Sequence, residues 1–390
     1  MSPAMHVLLC PDSFKGSLSS PAVANAMIAG IRQVDPQVTT EAIAMADGGE
    51  GMSDIVNTAL DGQWRAARVH APDGQWVRAG WGWDSVQRQA ILDVASACGL
   101  DLVPEAKRDP WQLDTRGVGE LILAALDAGA TRILIGLGGS GTNDAGAGML
   151  AALGAVFMDA SGHRLAPSPA ALADLARVDL SLLDARLPSI KLDFLTDVDN
   201  PLTGAQGASA VFGPQKGLSP SQVAPMDARL TAIARRIEAS RPLRCDIDSP
   251  GMGAAGGLGF ALGAVLGGAR QMGSGYIADL VGLDAAIHRS DLVITGEGCL
   301  DGQTARGKVV AEVVRRANGF GKPVLAIAGS VNCTPEQIHE IGLAGALSLS
   351  NKEVSIAEAI ARPAGLITER TAQAFHQWAL ARGHNKALSD

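Results

Sequence analysis

The chain has 390 residues with 32 basic and 40 acidic side chains, a net charge of −8 and no lysine/arginine stripe, which excludes nucleic acid as an expected partner. Hydrophobic residues at 47% against 18% charged argue for well-buried α/β layers, and no apolar run approaches the roughly 20 residues that span a bilayer, so no membrane partner is expected. The length favours two domains, and the 47 glycines, well above the average of about 7%, lie in loops and form no repeat.

In chain order, residues 6–10 read as a buried first strand and 21–31 as a helix, with Ser20 as its cap and Pro21 in its first turn. The loop between them carries Asp12, Ser13 and Lys15 at a strand's carboxyl end, where open α/β sheets bind ligands. A second strand over 41–46 runs into Asp47-Gly48-Gly49-Glu50-Gly51. After Asp61 the texture changes: 64–70, 76–83 and 89–94 are short β-rich runs joined by turns, an antiparallel meander that opens a second domain.

An amphipathic helix over 115–128 precedes the most informative stretch. The apolar run 133–135 opens into Gly136-Leu137-Gly138-Gly139-Ser140-Gly141, and Thr142, Asn143 and Asp144 follow as caps for a helix over 145–153. Strand, glycine loop and helix start form either an anion site, where backbone N–H groups approach a phosphate, or a tight packing turn.

Further on, 155–158 reads as a strand, 167–187 as helix and loop, and 191–195 as a strand ending in Thr196-Asp197-Val198-Asp199-Asn200. The tract 251–268 reads as a tightly packed helix from about Ala255, its first glycines offering another backbone-donor loop. Strand–helix alternation returns with strands at 292–295, 324–328 and 346–349 and a helix at 309–318. That closing texture matches the opening one, so 1–62 and 286–390 form a discontinuous first domain into which 63–285 is inserted.

Two motifs are partial. Residues 302–308 fit the first seven positions of a GxxxxGK[ST] loop, but Val309 replaces the magnesium-binding hydroxyl. Residues 136–141 fit GxGxxG, with Asp159 further on, yet the helix begins later than a dinucleotide fingerprint requires. The acids Asp12, Asp47, Glu50, Asp144, Asp197, Asp199, Glu297 and Asp301 all occupy loop or strand-end positions. Carboxylates that converge repel one another unless a cation shares the site, so with Lys15 and Lys308 they point to a Mg²⁺-nucleotide site. Five cysteines, an odd number without CxxC spacing, and an N-terminus lacking a basic n-region lead to the expectation of a reduced cytoplasmic protein without a signal peptide.

The blocks PDSFKGS (11–17), MADGGEG (45–51), GLGGSGTNDAGAGML (136–150), TDVDNPLTG (196–204), FGPQKG (212–217), GAAGGLGFALGA (253–264) and TGEGCLDGQTARGK (295–308) occur in an order that resembles the bacterial glycerate kinase family. The resemblance implies a two-domain α/β fold: a flavodoxin-like parallel-sheet domain from both chain ends plus an inserted mixed α/β domain, with the active site in the cleft. It implies ATP and Mg²⁺ as cofactors, and D-glycerate as substrate, phosphorylated most often at the 2-hydroxyl in relatives like this chain; it leaves room for a homodimer.

Carried onto this chain, the resemblance implies Asp197 as general base, with Lys15 and Lys308 neutralising charge on the transferring group. Gly138, Gly139, Ser140, Gly141, Thr142, Asn143, Gly256 and Gly257 would bind the nucleotide. Asp12, Ser13, Asp47, Gly48, Gly49, Asn200 and Arg306 would bind the substrate, and Asp47, Asp199 and Glu297 the metal. One departure stands out: the family pattern has arginine where this chain has Cys299, and Arg306 is the residue that would replace the lost guanidinium. Two alternatives stay open, a kinase of another small hydroxy acid and a nicotinamide-dependent oxidoreductase built on the 136–141 loop.

Overall fold

The structure is a computed structural model that describes residues 5–301 and 309–387, with side chains as far as 381. In chain order its strands are β1 (His6–Leu9), β2 (Thr39–Ala42), β3 (Gln63–His70), β4 (Trp76–Asp84), β5 (Gln89–Asp93), β6 (Arg132–Gly136) and β7 (Val156–Met158). They continue with β8 (Arg177–Asp179), β9 (Lys191–Leu195), β10 (Ala269–Gln271), β11 (Leu292–Leu300), β12 (Val324–Val331) and β13 (Gly345–Ser348). The chain divides into two compact units, one made of 1–47 and 274–390 and the other of 48–273.

The first unit holds an all-parallel sheet in the order β13-β12-β11-β1-β2. Counted within the unit this is 2-1-3-4-5, the flavodoxin-like order, whose switch point lies between β1 and β11. Strands covered on both faces are apolar throughout, and Val7, Leu9, Leu292, Ile294 and Ile327 form the buried centre. On one face the helices Ser20–Val34 and Pro363–Ala387 pack closely: a Cβ on Gly30 would lie 2.4 Å from the Thr368 carbonyl oxygen.

The second unit holds a six-stranded sheet in the order β10-β9-β6-β5-β4-β3. Strands β5, β6, β9 and β10 run parallel, whereas β3, β4 and β5 form the antiparallel meander expected from their turns. A separate antiparallel pair joins β7, within the strand expected at 155–158, to β8, which lies in the stretch read from sequence as helix and loop; three residues, Arg177–Asp179, are too few to show a period.

The unit boundaries fall at 47/48 and 273/274, where the sequence reading placed 62/63 and 285/286. The helix Met52–Ala59 goes with the second unit because Asn57 is buried against Gly62 and Gly82, each of which lacks the Cβ that would clash with it. The helices Gly273–Leu280 and Leu283–Arg289 go with the first because Arg316 bridges Asp279 and Asp284. The glycine/alanine tract is only partly α-helical. Ala255, Gly256 and Gly257 all have positive φ (53°, 67° and 96°), after which helix resumes and passes into a π turn over Ala261–Val265.

Replacing Gly30 with alanine should lower the stability of the first unit by about 1–3 kcal/mol, because backbone fills the space a methyl would need. Urea unfolding followed by circular dichroism checks this; an unchanged midpoint would show that the two helices separate without cost.

Candidate active site

In the first unit the site begins with the backbone that continues β1. Cys10 N–H donates to the Ile294 carbonyl and Asp12 N–H to the Gly296 carbonyl, so Asp12 is fixed against β11. Its carboxylate accepts from Ser13 N–H at 2.7 Å. Ser20 Oγ donates to the Pro11 carbonyl and accepts from Met45 N–H, which ties the β2 extension to the same edge. A tight turn follows, with Phe14 N–H bonded to the Leu18 carbonyl and Gly16 at φ +70°, and it presents Lys15, whose ammonium lies 3.2 Å from Asp47.

Asp12, Lys15, Asp47 and Glu297 line one cavity of about 320 Å³, at the small end of ligand pockets. Asp12 and Glu297 are buried there. Burial, then the nearby negative charge of Asp47, push the Asp12 carboxyl up to about 8 against the opposing pull of the Ser13 amide and Lys15; Glu297 pushes it up further. Cys299 lines this cavity too and accepts from Asn332 Nδ2 at 3.4 Å.

Magnesium takes oxygen ligands and is commonly held by one or two carboxylates plus phosphate oxygens. Asp47 and Glu297, which face one cavity, fit that demand, although among the described residues no three metal-binding side chains gather closely enough to hold an ion by themselves. Asp199, the third expected ligand, belongs to the other unit and is exposed, its carboxylate 2.6 Å from Arg270.

In the second unit the glycine loop sits at the carboxyl ends of β5, β6 and β9, and most of its groups are already bonded. Leu137 N–H donates to the Leu195 carbonyl, Gly138 N–H to Gly48 and Gly141 N–H to Cys98, while the Gly139 carbonyl accepts from Leu100 N–H. The glycines serve close packing of backbone on backbone. A Cβ on Gly138 would lie 2.1 Å from Gly49 Cα, and one on Gly256 would lie 2.0 Å from the Thr142 carbonyl oxygen. Gly48 and Gly257 are similarly confined, by Leu195 and Ala145. Asn143 is buried and donates to Ser209 Oγ.

The loop does not open a helix directly. Asp144 is buried and accepts from Thr115 N–H and Oγ–H and from the Gly146 and Gly148 amides, and the helix Ala147–Ala152 starts beyond it. The β9 end places Asp197 half-buried, with Asn200 donating through Nδ2 to the Gln206 carbonyl. Lys308 and Arg306 lie outside the described residues.

Two side chains near the glycine loop were not singled out by sequence reasoning. Lys216, within the FGPQKG block, is buried under the glycine loop and donates to Ser140 Oγ at 3.0 Å and the Thr142 carbonyl at 2.7 Å. The signal available was a lysine set between glycines and apolar residues, where a solvated side chain has no reason to be. Asp93 ends β5, accepts from Ser53 N–H and Oγ–H, and leaves Oδ1 without a hydrogen-bond partner among the described residues.

Two α/β units, one with acids and a lysine at its strand ends and the other with glycine loops at its own, mark a small-molecule enzyme of the phosphate-transferring kind. A model of the glycerate kinase family matches residues 7–379. The glycerate 2-kinase of Escherichia coli K12 is 42% identical over 346 residues, covering 88% of this chain and 90% of that protein. The glycerate kinase of Bacillus subtilis 168 is 41% identical, covering 95% and 96%. A crystal structure from Salmonella typhimurium LT2, described as a candidate glycerate kinase 2, superposes with a TM-score of 0.78 at 39% identity, covering 97% of this chain and all of that one. The chain belongs to the glycerate kinase family.

Burial pushes the Asp93 carboxyl up to about 7, opposed by its two bonds from Ser53. In the folded protein this group keeps its proton up to about pH 7, whereas in the unfolded chain it loses it near pH 4. Its contribution to stability is therefore full at low pH and lost as the pH rises through 7. Asp93→Asn should flatten that part of the decline in urea midpoint between about pH 4 and 7; parallel pH profiles for the two proteins would contradict the assignment.

Proposed function

We propose that the protein transfers the γ-phosphoryl group of ATP to D-glycerate, with the 2-hydroxyl as acceptor, giving 2-phospho-D-glycerate and ADP. The observation that carries this reading is the convergence of Asp12, Lys15, Asp47 and Glu297 in one small cavity at the carboxyl edge of a parallel sheet, in a chain of the glycerate kinase family. A short hydroxy acid suits such a cavity: its carboxylate pairs with Lys15, and its hydroxyls donate to carboxylate oxygens.

In this reading Asp12, Ser13, Asp47, Gly48, Gly49 and Asn200 orient glycerate, and the loop Gly138–Asn143 with Gly256 and Gly257 meets the nucleotide phosphates. Asp197 takes the proton of the attacking hydroxyl. As its oxygen bonds to the γ-phosphorus, the bond from that phosphorus to the β,γ-bridging oxygen breaks and ADP leaves. Lys15 offsets the charge that develops, and Lys308 and Arg306 share these tasks on sequence grounds. Asp47 and Glu297 would hold Mg²⁺, with Asp199 available once released from Arg270; the bound ion neutralises phosphate oxygens. A reduced cytoplasmic setting agrees with the five free cysteines, and among the described residues no helix is long and apolar enough to cross a membrane.

The decisive assay is ADP formation by the purified protein with D-glycerate, followed by NMR of the product to locate the phosphate. ADP release only with other hydroxy acids would replace the substrate, and a 3-phosphate would replace the regiochemistry. Asp197→Asn should lower kcat at least ~10²-fold, the scale of a proton-transfer residue, with little change in Tm. Turnover close to that of the parent would remove Asp197 as the base.

A further inference from the structure

Lys216 is fully enclosed, yet among the described residues no carboxylate lies within ion-pairing distance of its ammonium. An enclosed cation without a counter-charge is costly, and such side chains are normally paired or neutralised. Its two observed bonds run to a neutral hydroxyl and a neutral carbonyl, both on the loop that the proposed function assigns to phosphate.

The bond to Ser140 fixes a direction. Ser140 Oγ accepts from Lys216, so its own proton must point elsewhere, and among the described residues no acceptor for it is recorded. With Leu137, Gly138 and Gly141 already donating to backbone carbonyls, the Ser140 hydroxyl is a donor the loop still has to offer. The ammonium behind it polarises that hydroxyl, with Asp144 as the opposing charge that the same ammonium feels.

Resting on the proposed function, we infer that Lys216 is a positioning residue for a phosphoryl-anion subsite at Ser140: it turns the serine hydroxyl outward as a donor and supplies the counter-charge that a bound phosphoryl oxygen completes. Charge-assisted donors of this kind bind oxyanions more strongly than neutral ones. The titratable or charged groups on the elements packed around it are Cys98, Asp144 and, beside Gly217, Arg108. Burial holds the Lys216 ammonium down to about 8, opposed by Cys98 and Asp144. Cys98 is pushed up to about 12 by burial and Asp144 to about 6, so neither changes charge between pH 7 and 9.

The test uses the full chain, with ATP and 2-phosphoglycerate titrated separately by calorimetry to distinguish nucleotide from product as the source of the phosphoryl group. Lys216→Met should weaken binding of one of them about tenfold or more and abolish a fall in its affinity between pH 7.5 and 9 that the parent shows. Unchanged affinity and an unchanged pH profile for both ligands overturn the inference. Should Lys216→Met fail to fold, Ser140→Ala decides: a roughly tenfold loss supports the subsite, and parental affinity for both ligands overturns it. Lack of turnover with D-glycerate, alongside loss of ATP affinity in these variants, would sink the proposed substrate while leaving the subsite standing.

Discussion

The parallel pairing of β1 with β11 is the constraint on which the first unit depends. It sets Val7 opposite Leu292 and Leu9 opposite Ile294, joining segments from opposite ends of the chain. Because β1 and β11 flank the point where strand order reverses, the helices leaving them diverge and open a crevice at their carboxyl ends. Asp12 and Glu297 lie at that crevice because each is a short step beyond the last shared apolar pair. Asp47 joins them through the Met45–Ser20–Pro11 bonds that carry the β2 extension to the same edge.

The second unit meets a different demand. Its glycines at 48, 138, 256 and 257 are places where one loop's backbone lies on another's, with clearances that exclude even a methyl group. The loop at the end of β6 is closely packed for that reason, and its polar content is concentrated in Ser140, Thr142 and Asn143, with Lys216 beneath. Ala145 and Ala255 adopt positive φ, a strained conformation for alanine, and the Ala145 N–H bond to the Gly256 carbonyl links the two strained turns.

Much of this was legible beforehand where a physical period governs the chain. β9 matched its expected range of 191–195, the meander matched to within a residue or so, and the alternation after Asp291 identified the sheet built from both ends. Family resemblance, carried by ordered glycine and acid blocks, reached further than periodicity. What stayed hidden was set by tertiary packing. Nothing local reveals that a lysine at 216 lies under a loop more than seventy residues earlier, that Arg270 pairs with Asp199, or that Asn57 draws its helix into the inserted unit. The glycine loop admitted two readings from sequence, an anion site and a packing turn; its glycines do let chains pack, and composition alone does not separate those uses.

The division of the parallel sheet between the two chain ends also governs the order of events at the ribosome. β1 and β2 emerge first but make only a two-stranded ribbon, while the whole of 48–273 is synthesised before β11 arrives to sit beside β1. The interior segment has all its own partners by then and is free to complete its core early, so its nascent N-terminal neighbours must wait as an unfinished edge, which is where a chaperone would find its work.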